Sequence, residues 1–369
     1  MIETVADVVV VGGGTGGAPA AIAAAREGAR VLVVEFQHML GGVGTVGQIT
    51  GYYHGHRVGF TATVPGNPRW SIEQKAQWWR ETLLDEGASI WFGAIGCGAI
   101  VQEERVIGAV VATPYGRGAV LADVVIDSTS NADIAAPAGA ETYYTGSGEF
   151  AAMGAGTTYR RLGSSGPNPS FTLIDETDLA DIWHVLVWSK QKYPNAFDQA
   201  PVVNTRERRR IVGDFTMTVL DQLVGRTYPD TISQADSDFD THGFTTEPFL
   251  MLATPPRAQN YLVNIPYRCL LPRGLEGILA TGLGISMHRD AIPFVRMQAC
   301  IQNQGYAAGL AAAMALSQGL PLRGIDIRAL QRRLVDIGNL PEEVLEHEDS
   351  LPMSEEEIAR AIRDYPPLY

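Results

Sequence analysis

The chain has 369 residues, 46% of them apolar and 19% charged, with a formal net charge of −13. That length suits two domains with sizeable cores, and the composition excludes a disordered chain. The acidic balance argues against nucleic-acid binding, which needs a basic face, and against docking on anionic membranes.

Residues 7–35 form the first recognisable unit. Val8-Val9-Val10-Val11 is apolar and β-branched at every position, as a strand buried on both faces requires. Gly12, Gly14 and Gly17, with Thr15 among them, fall at the G-x-G-x-x-G spacing. The first permits a tight turn, the second lets backbone approach a pyrophosphate, and the third lets a helix pack on the strand. The helix start adds unpaired N–H groups and a positive dipole end. A second apolar strand, Val31–Val34, ends in Glu35, about twenty residues on, where a carboxylate can accept from a ribose diol. No residue from Val8 to Ala25 is charged. Five glycines and Pro19 in that run, with Glu3 and Asp7 before it, argue against a membrane span or signal peptide and favour a soluble reading. Pro19 should bend the helix.

A glycine-dense segment, Leu40 to Gly47, leads into an aromatic and basic stretch from Gly51 to Phe60. A helix is expected over Ser71–Glu86, capped by Ser71 and stopped by Gly87. Pieces near Cys97–Val101, Val106–Thr113 and Ala119–Leu121 suggest a small antiparallel meander. Val124–Asp127 reads as another buried strand. Residues 141–255 are richer in Pro, Ser, Asn and aromatics, with helices expected at Thr177–Tyr193 and Thr205–Leu223. Apolar density returns at Tyr261–Leu271, at Gly277–Thr281 and in a long helix ending near Gly319. This interrupted α/β pattern implies a nucleotide domain over 1–140 and 256–325, an inserted α+β domain over 141–255 and a helical tail over 326–369. No solenoid repeat is present. In the tail, Ser354 and Glu357 form a capping box. Cys97, Cys269 and Cys300 include no C-x-x-C pair. They give no disulfide scaffold and no metal signature, make a reducing cytoplasm the default, and each reads as a small buried hydrophobe.

These residues resemble the FAD-dependent oxidoreductase family whose flavin domain is similar to that of glutathione reductase and fumarate reductase. Leu40-Gly41-Gly42 resembles the family's glycine doublet beside the flavin. Residues 125–133, VIDSTSNAD, resemble its IDATGDGD segment, with Ser130 and Asn131 where that pattern has Gly and Asp. Residues 206–213, RERRRIVG, resemble its RETRRIVG block. Ile265–Arg268 and Gly277–Ser286 resemble its closing flavin-contact region. The resemblance implies a Rossmann-like FAD-binding domain, a parallel sheet plus an antiparallel meander, and an inserted substrate domain. It implies cofactor contacts at Gly12, Gly14, Thr15, Gly17, Glu35, Gly41, Gly42, Thr129, Gly282, Gly284 and Pro293.

Pro293 can open a helix whose Gly305, Ala308, Gly309, Ala312 and Ala313 permit very close packing. In similar flavoproteins that N-terminus faces the pyrimidine edge of the ring, and its dipole would stabilise charge developing there. Proton transfer near neutrality points to histidine. His288, His54 and His56 are the candidates, with His242 a further one, while Arg57, Arg289 and Arg296 could clamp an anion. The sequence has no second G-x-G-x-x-G unit. Reducing equivalents are therefore expected from a small organic substrate, a sugar, polyol or hydroxy acid, with the electron acceptor open. The rival readings are an NAD-dependent dehydrogenase and a flavin-retaining protein without redox turnover. Covalent flavin attachment and homo-oligomerisation remain open.

Overall fold

The computed structural model describes residues 2–65, 71–143, 159–160, 171, 174–175, 178–196, 198–199, 206–252, 259–351, 354, 356 and 359–360. A seven-stranded sheet organises the chain. Strand β1 (Ile2–Val11) runs parallel to β2 (Val31–Glu35), which runs parallel to β3 (Ser89–Phe92), a strand not expected from the sequence. On its other side β1 pairs in parallel with β6 (Gly116–Asp127). The strands β4 (Ile95–Gln102) and β5 (Arg105–Thr113) complete the antiparallel meander on β6. The two pieces expected at Ala119–Leu121 and Val124–Asp127 are thus one strand. Its first half carries the meander, and Val125–Asp127 pairs with the short strand Ile278–Ala280.

Both faces of this sheet are covered, which explains the uninterrupted valines. Val8 and Val10 join one buried cluster and Val9 and Val11 the other, as strand alternation dictates. On the first face lies α1 (Gly17–Arg26). Pro19, expected to bend it, takes no intrahelical hydrogen bond from it. Gly17 is the first helical residue, so Pro19 falls in the first turn, where backbone N–H groups have no intrahelical partner anyway. Helix α2 (Ile72–Asp85) starts at a full capping box between Ser71 and Gln74. Cys97 is exposed, whereas Cys269 and Cys300 are buried.

The helix α3 (Leu179–Lys192) matches expectation, capped by Asp178. The helix expected over Thr205–Leu223 does not form. Among its described residues, Arg210–Ile211 pair with Thr142–Tyr143, and only Val219–Leu223 is helical. The backbone there is already engaged. The Gly213 N–H donates to Ser286 Oγ at 2.9 Å, and a Cβ on Gly213 would lie 2.8 Å from that of Ser286. Met217, Ile232, Ala235 and Phe239 join the core that holds α1. The strand Thr231–Ser237 pairs antiparallel with Tyr261–Pro266. Residues 206–252 therefore share the main core, although they were expected within the 141–255 insertion.

The long helix α4 (Gln298–Gln318) ends at Gly319, which caps it in the left-handed conformation at φ 63°. Pro293 does not open it. That proline sits in a separate turn, Ile292–Val295, and Met297 caps α4 from an extended conformation. A Cβ on Gly305 would collide with the Gly16 carbonyl, and one on Gly309 with that of Ala20. The small residues of α4 thus serve backbone-to-backbone packing on α1. Helix α5 (Ile327–Asp336), capped by Asp326, packs beyond it. The capping box expected at Ser354 includes Glu357, outside the described residues. Among the described residues no helix is long and apolar enough to cross a membrane.

Candidate functional site

The β1–α1 turn shows why three glycines are needed, each for a separate reason. Gly12 lies at φ 92°, and a Cβ there would come within 2.5 Å of the Ser128 carbonyl oxygen. A Cβ on Gly17 would collide with the Gly12 carbonyl. Gly14 alone is open, since a Cβ on it would meet nothing closer than Gly42 Cα at 3.8 Å. The glycine expected to admit a ligand is thus the one that leaves room. Glu35 is buried at the end of β2. Its carboxylate accepts from the Gly13 N–H at 2.8 Å and from the Gln37 N–H at 2.7 Å. Burial pushes this carboxyl above its usual range, against the backbone donors that oppose the shift. Each oxygen keeps a lone pair for a further donor.

The 128–135 loop is built on Asp127. Its Oδ1 accepts from the Thr129 N–H and hydroxyl at 3.1 and 2.7 Å, and its Oδ2 from the N–H groups of Ile134 and Ala135, both at 2.9 Å. Ser130, where the family pattern has Gly, adopts φ 58°. Asn131, where that pattern has Asp, accepts from the Arg209 N–H through Oδ1 at 3.1 Å. Arg209 also reaches Asp133 at 2.7 Å. This departure ties the arginine block to the loop.

One cleft of about 540 Å³ joins these segments. Gly12, Gly14, Thr15, Glu35, Gly42, Thr129 and Gly282 all line it. Gln298 and Ile301, from the first turn of α4, line it as well. Gly17, Gly41, Gly284 and Pro293 stand behind the wall. Gly41 donates its N–H to the Gly13 carbonyl at 2.9 Å, and a Cβ on it would strike Trp79 at 2.6 Å. Gly284 packs on Asn131 and Ala132, and Pro293 is buried.

None of the five candidate catalytic residues is among those that line the cleft. His288 caps a turn, its Nδ1 accepting from the Asp290 N–H at 3.3 Å. Arg289 is paired with the buried Glu207. Arg57 lies 4.4 Å over the Tyr52 ring and donates to the Val64 carbonyl at 2.7 Å. The His56 carbonyl accepts from the Thr61 hydroxyl at 3.4 Å. His54 Nε2 is 3.9 Å from Asp238 Oδ1.

The structure adds wall residues that the sequence reading had not placed there. Arg206 and Arg208 line the cleft beside Arg296, which the sequence reading had offered as an anion clamp. Arg296 is paired with Asp240 at 2.5 Å, and Asp240 with His242 Nε2 at 3.1 Å. Buried amides at the start of α4 hold both walls. Gln298 Nε2 donates to the carbonyls of Ile49 and Gly51 at 2.8 and 3.1 Å, while Gln302 Oε1 accepts from the Tyr52 hydroxyl at 3.0 Å. Gln304 Oε1 accepts from the Gly282 N–H at 2.7 Å. The signal was legible as four amides, Gln298, Gln302, Asn303 and Gln304, in the first two turns of a helix whose middle is apolar. Lys75 is fully buried beneath Gly44. Its Nζ donates to the Thr50 carbonyl at 3.3 Å and stands 4.6 Å from the centre of the Tyr52 ring. No group of three or more metal-ligating side chains occurs among the described residues.

The cleft fits FAD on the protein's own features. The opening turn leaves space at Gly14, a carboxylate lies at the β2 end, and a helix start lies at the far end. The acceptor Gln298 Oε1 there is buried without a partner.

No curated protein matches the chain. Among solved structures, a geranylgeranyl bacteriochlorophyll reductase-like protein from Thermoplasma acidophilum is 14% identical, over 99% of this chain and 97% of that one, with a TM-score of 0.45. The anhydrotetracycline hydroxylase OxyS from Streptomyces rimosus is 14% identical over 93% of this chain and 64% of its own, with a TM-score of 0.39. For THI4 from Thermovibrio ammonificans the values are 19% identity, 36% of this chain, 61% of that chain and a TM-score of 0.30. The match here thus spans less than two thirds of the THI4 chain. A family model described as FAD dependent oxidoreductase matches residues 7–165 and 173–334. The chain, with its glycine turn and α4 facing one cleft, belongs to the FAD dependent oxidoreductase family.

Proposed function

We propose that FAD lies along this cleft and that the protein passes a hydride between the flavin and a small organic substrate, without an NAD(P)-binding domain of its own. One observation carries the reading. Gly14 and Thr15 from the opening turn and Gln298 and Ile301 from α4, nearly three hundred positions apart, wall the same cavity. Gly12, Gly14 and Thr15 then take the pyrophosphate and Glu35 the ribose, with Gly42, Thr129 and Gly282 along the middle. Gly17, Gly41, Gly284 and Pro293 shape these walls without touching the ligand. The start of α4 directs its dipole at the far end, where negative charge develops.

When bound, FAD supplies the hydride acceptor or donor. The chain's residues must hold the substrate and move its proton. His54 beside Asp238 and His242 on Asp240 are the two histidines that acids hold near Arg296. We assign proton transfer to this pair. Sugars, polyols and hydroxy acids all suit a site with tyrosines, histidines and arginines at its edge.

The purified protein is expected to be yellow and to bleach anaerobically with an alcohol substrate but not with NADH. A colourless protein that uses NAD⁺ would make it an NAD-dependent dehydrogenase. A yellow protein that no reductant bleaches would retain flavin without turnover.

A further inference from the structure

The end of the cleft at α4 is unusually cationic for a chain so acidic overall. Arg206 and Arg296 approach each other there from two distant segments, and Arg208 lines the same cleft with its charge felt at Asp133. Arg296 spends one NH₂ on Asp240, on Oδ2 at 2.5 Å and on the backbone carbonyl at 2.8 Å. Its Nε–H is buried without an acceptor among the described residues. Arg206 is buried as well. Burial first, and then the charge of Arg296, hold its guanidinium down at about 9, despite the pull of Asp240. Of the acids that act on Arg296, Asp238 is shared with Tyr53, whose hydroxyl it accepts at 3.4 Å. Buried guanidiniums that crowd one another gain when another anion arrives, because its charge offsets both desolvation and mutual repulsion.

We propose that Arg206 and Arg296 form a subsite for a carboxylate carried by the substrate. The substrate class is then small hydroxy acids rather than neutral sugars or polyols. This rests on the flavin reading above and narrows it. Arginine suits the task, since its planar fork offers several donors to one anionic group while another NH₂ stays on Asp240. Asp240 acts as a positioning residue, fixing the direction in which Arg296 presents its remaining donors.

The test uses the yellow holoenzyme, titrated with oxalate or malonate, which carry carboxylates but no oxidisable alcohol. The flavin's visible spectrum should shift saturably, and neutral 1,2-propanediol should leave it unchanged. Arg296→Met and Arg206→Met should each weaken oxalate binding by at least about tenfold, the expected loss for a charge-assisted contact. Glycolate should bleach the unmodified enzyme faster than ethylene glycol. If oxalate perturbs the unmodified enzyme no more than the diol, and glycolate has no advantage, the subsite is refuted while the flavin reading stands. If instead carboxylates are ignored and Arg296→Met lowers the flavin's reduction potential, the arginines serve the flavin edge and the proposal falls. A colourless unmodified protein overturns the flavin reading, and the subsite with it. The two arms on unmodified enzyme decide the matter even if a variant fails to fold.

Discussion

The two ends of the cleft are built from different materials. At the β1–α1 turn the walls are backbone, with Gly12, Gly14 and Gly42 lining and Gly17 packed behind. At the start of α4 they are long side chains, with Arg206, Arg296 and Gln298 drawn from segments about ninety positions apart. A backbone wall is rigid and offers the same N–H and C=O groups whatever the neighbouring side chains, so it suits a ligand that never changes. A side-chain wall varies by substitution without disturbing the fold, so it suits the part of the site that selects a substrate. The same contrast predicts how each end fails when mutated.

The sharpest break should come from the backbone end. Gly305→Val would drive a side chain into the Gly16 carbonyl and force α4 away from α1. The expected loss is about 3 kcal/mol or more, as for severe overpacking, with the flavin lost as well. Gly319→Ala is the matched control. It has φ 63° but nothing within 4 Å, so only about 1–2 kcal/mol of left-handed strain is expected. Urea midpoints and the flavin absorbance of both variants decide it. Equal midpoints with retained colour would show that the helix contact does not fix the cleft.

This contrast also explains what the sequence made legible. The glycine turn, Glu35 and the helix at Ser71 were readable because each is local, with a spacing that states the backbone geometry. The small residues of α4 were readable for the same reason, since their helical spacing marks the face that meets α1. Arg206 and Arg208 were not placed at the cleft, because only long-range packing brings the 206–209 segment to the wall that Arg296 shares. The helix expected over Thr205–Leu223 failed similarly. Its apolar spacing suited a helix, but Gly213 and Arg210 are committed to Ser286 and to the Met287 carbonyl. Lys75 left no mark at all, because a lysine on an amphipathic helix reads as a solvated one.

Lys75 gives the next effect in size. Burial, and then the charge of Arg57, lower its ammonium to about 8 from an ordinary 10.5. The unfolded chain then holds that proton more tightly than the folded one, so stability should rise as pH climbs from about 8 toward 10.5. Below that window both states are protonated and the penalty is constant. Lys75→Met should therefore be more stable near neutrality by on the order of 2–3 kcal/mol, less what its bond to the Thr50 carbonyl contributes. The difference from the parent should shrink as pH rises. Denaturant titrations at several pH values would show this, and parallel stability curves would refute it.

The smallest effect is expected at His288, which the sequence placed first among the catalytic candidates. Its Nδ1 is committed to the Asp290 N–H, capping the turn Arg289–Ala291. His288→Ala should lower stability by about 1 kcal/mol, the usual loss for a capping acceptor, and leave anaerobic bleaching within about twofold. His54→Ala and His242→Ala, which remove the acid-held imidazoles, should together slow bleaching by about a hundredfold, as loss of a general base does. Stopped-flow bleaching of the three variants with one substrate makes the comparison direct. Slow bleaching in His288→Ala alone would move proton transfer to the other side of Asp290. The carboxylate that fixes the Thr246–Glu247 backbone would then be part of the catalytic machinery rather than a brace.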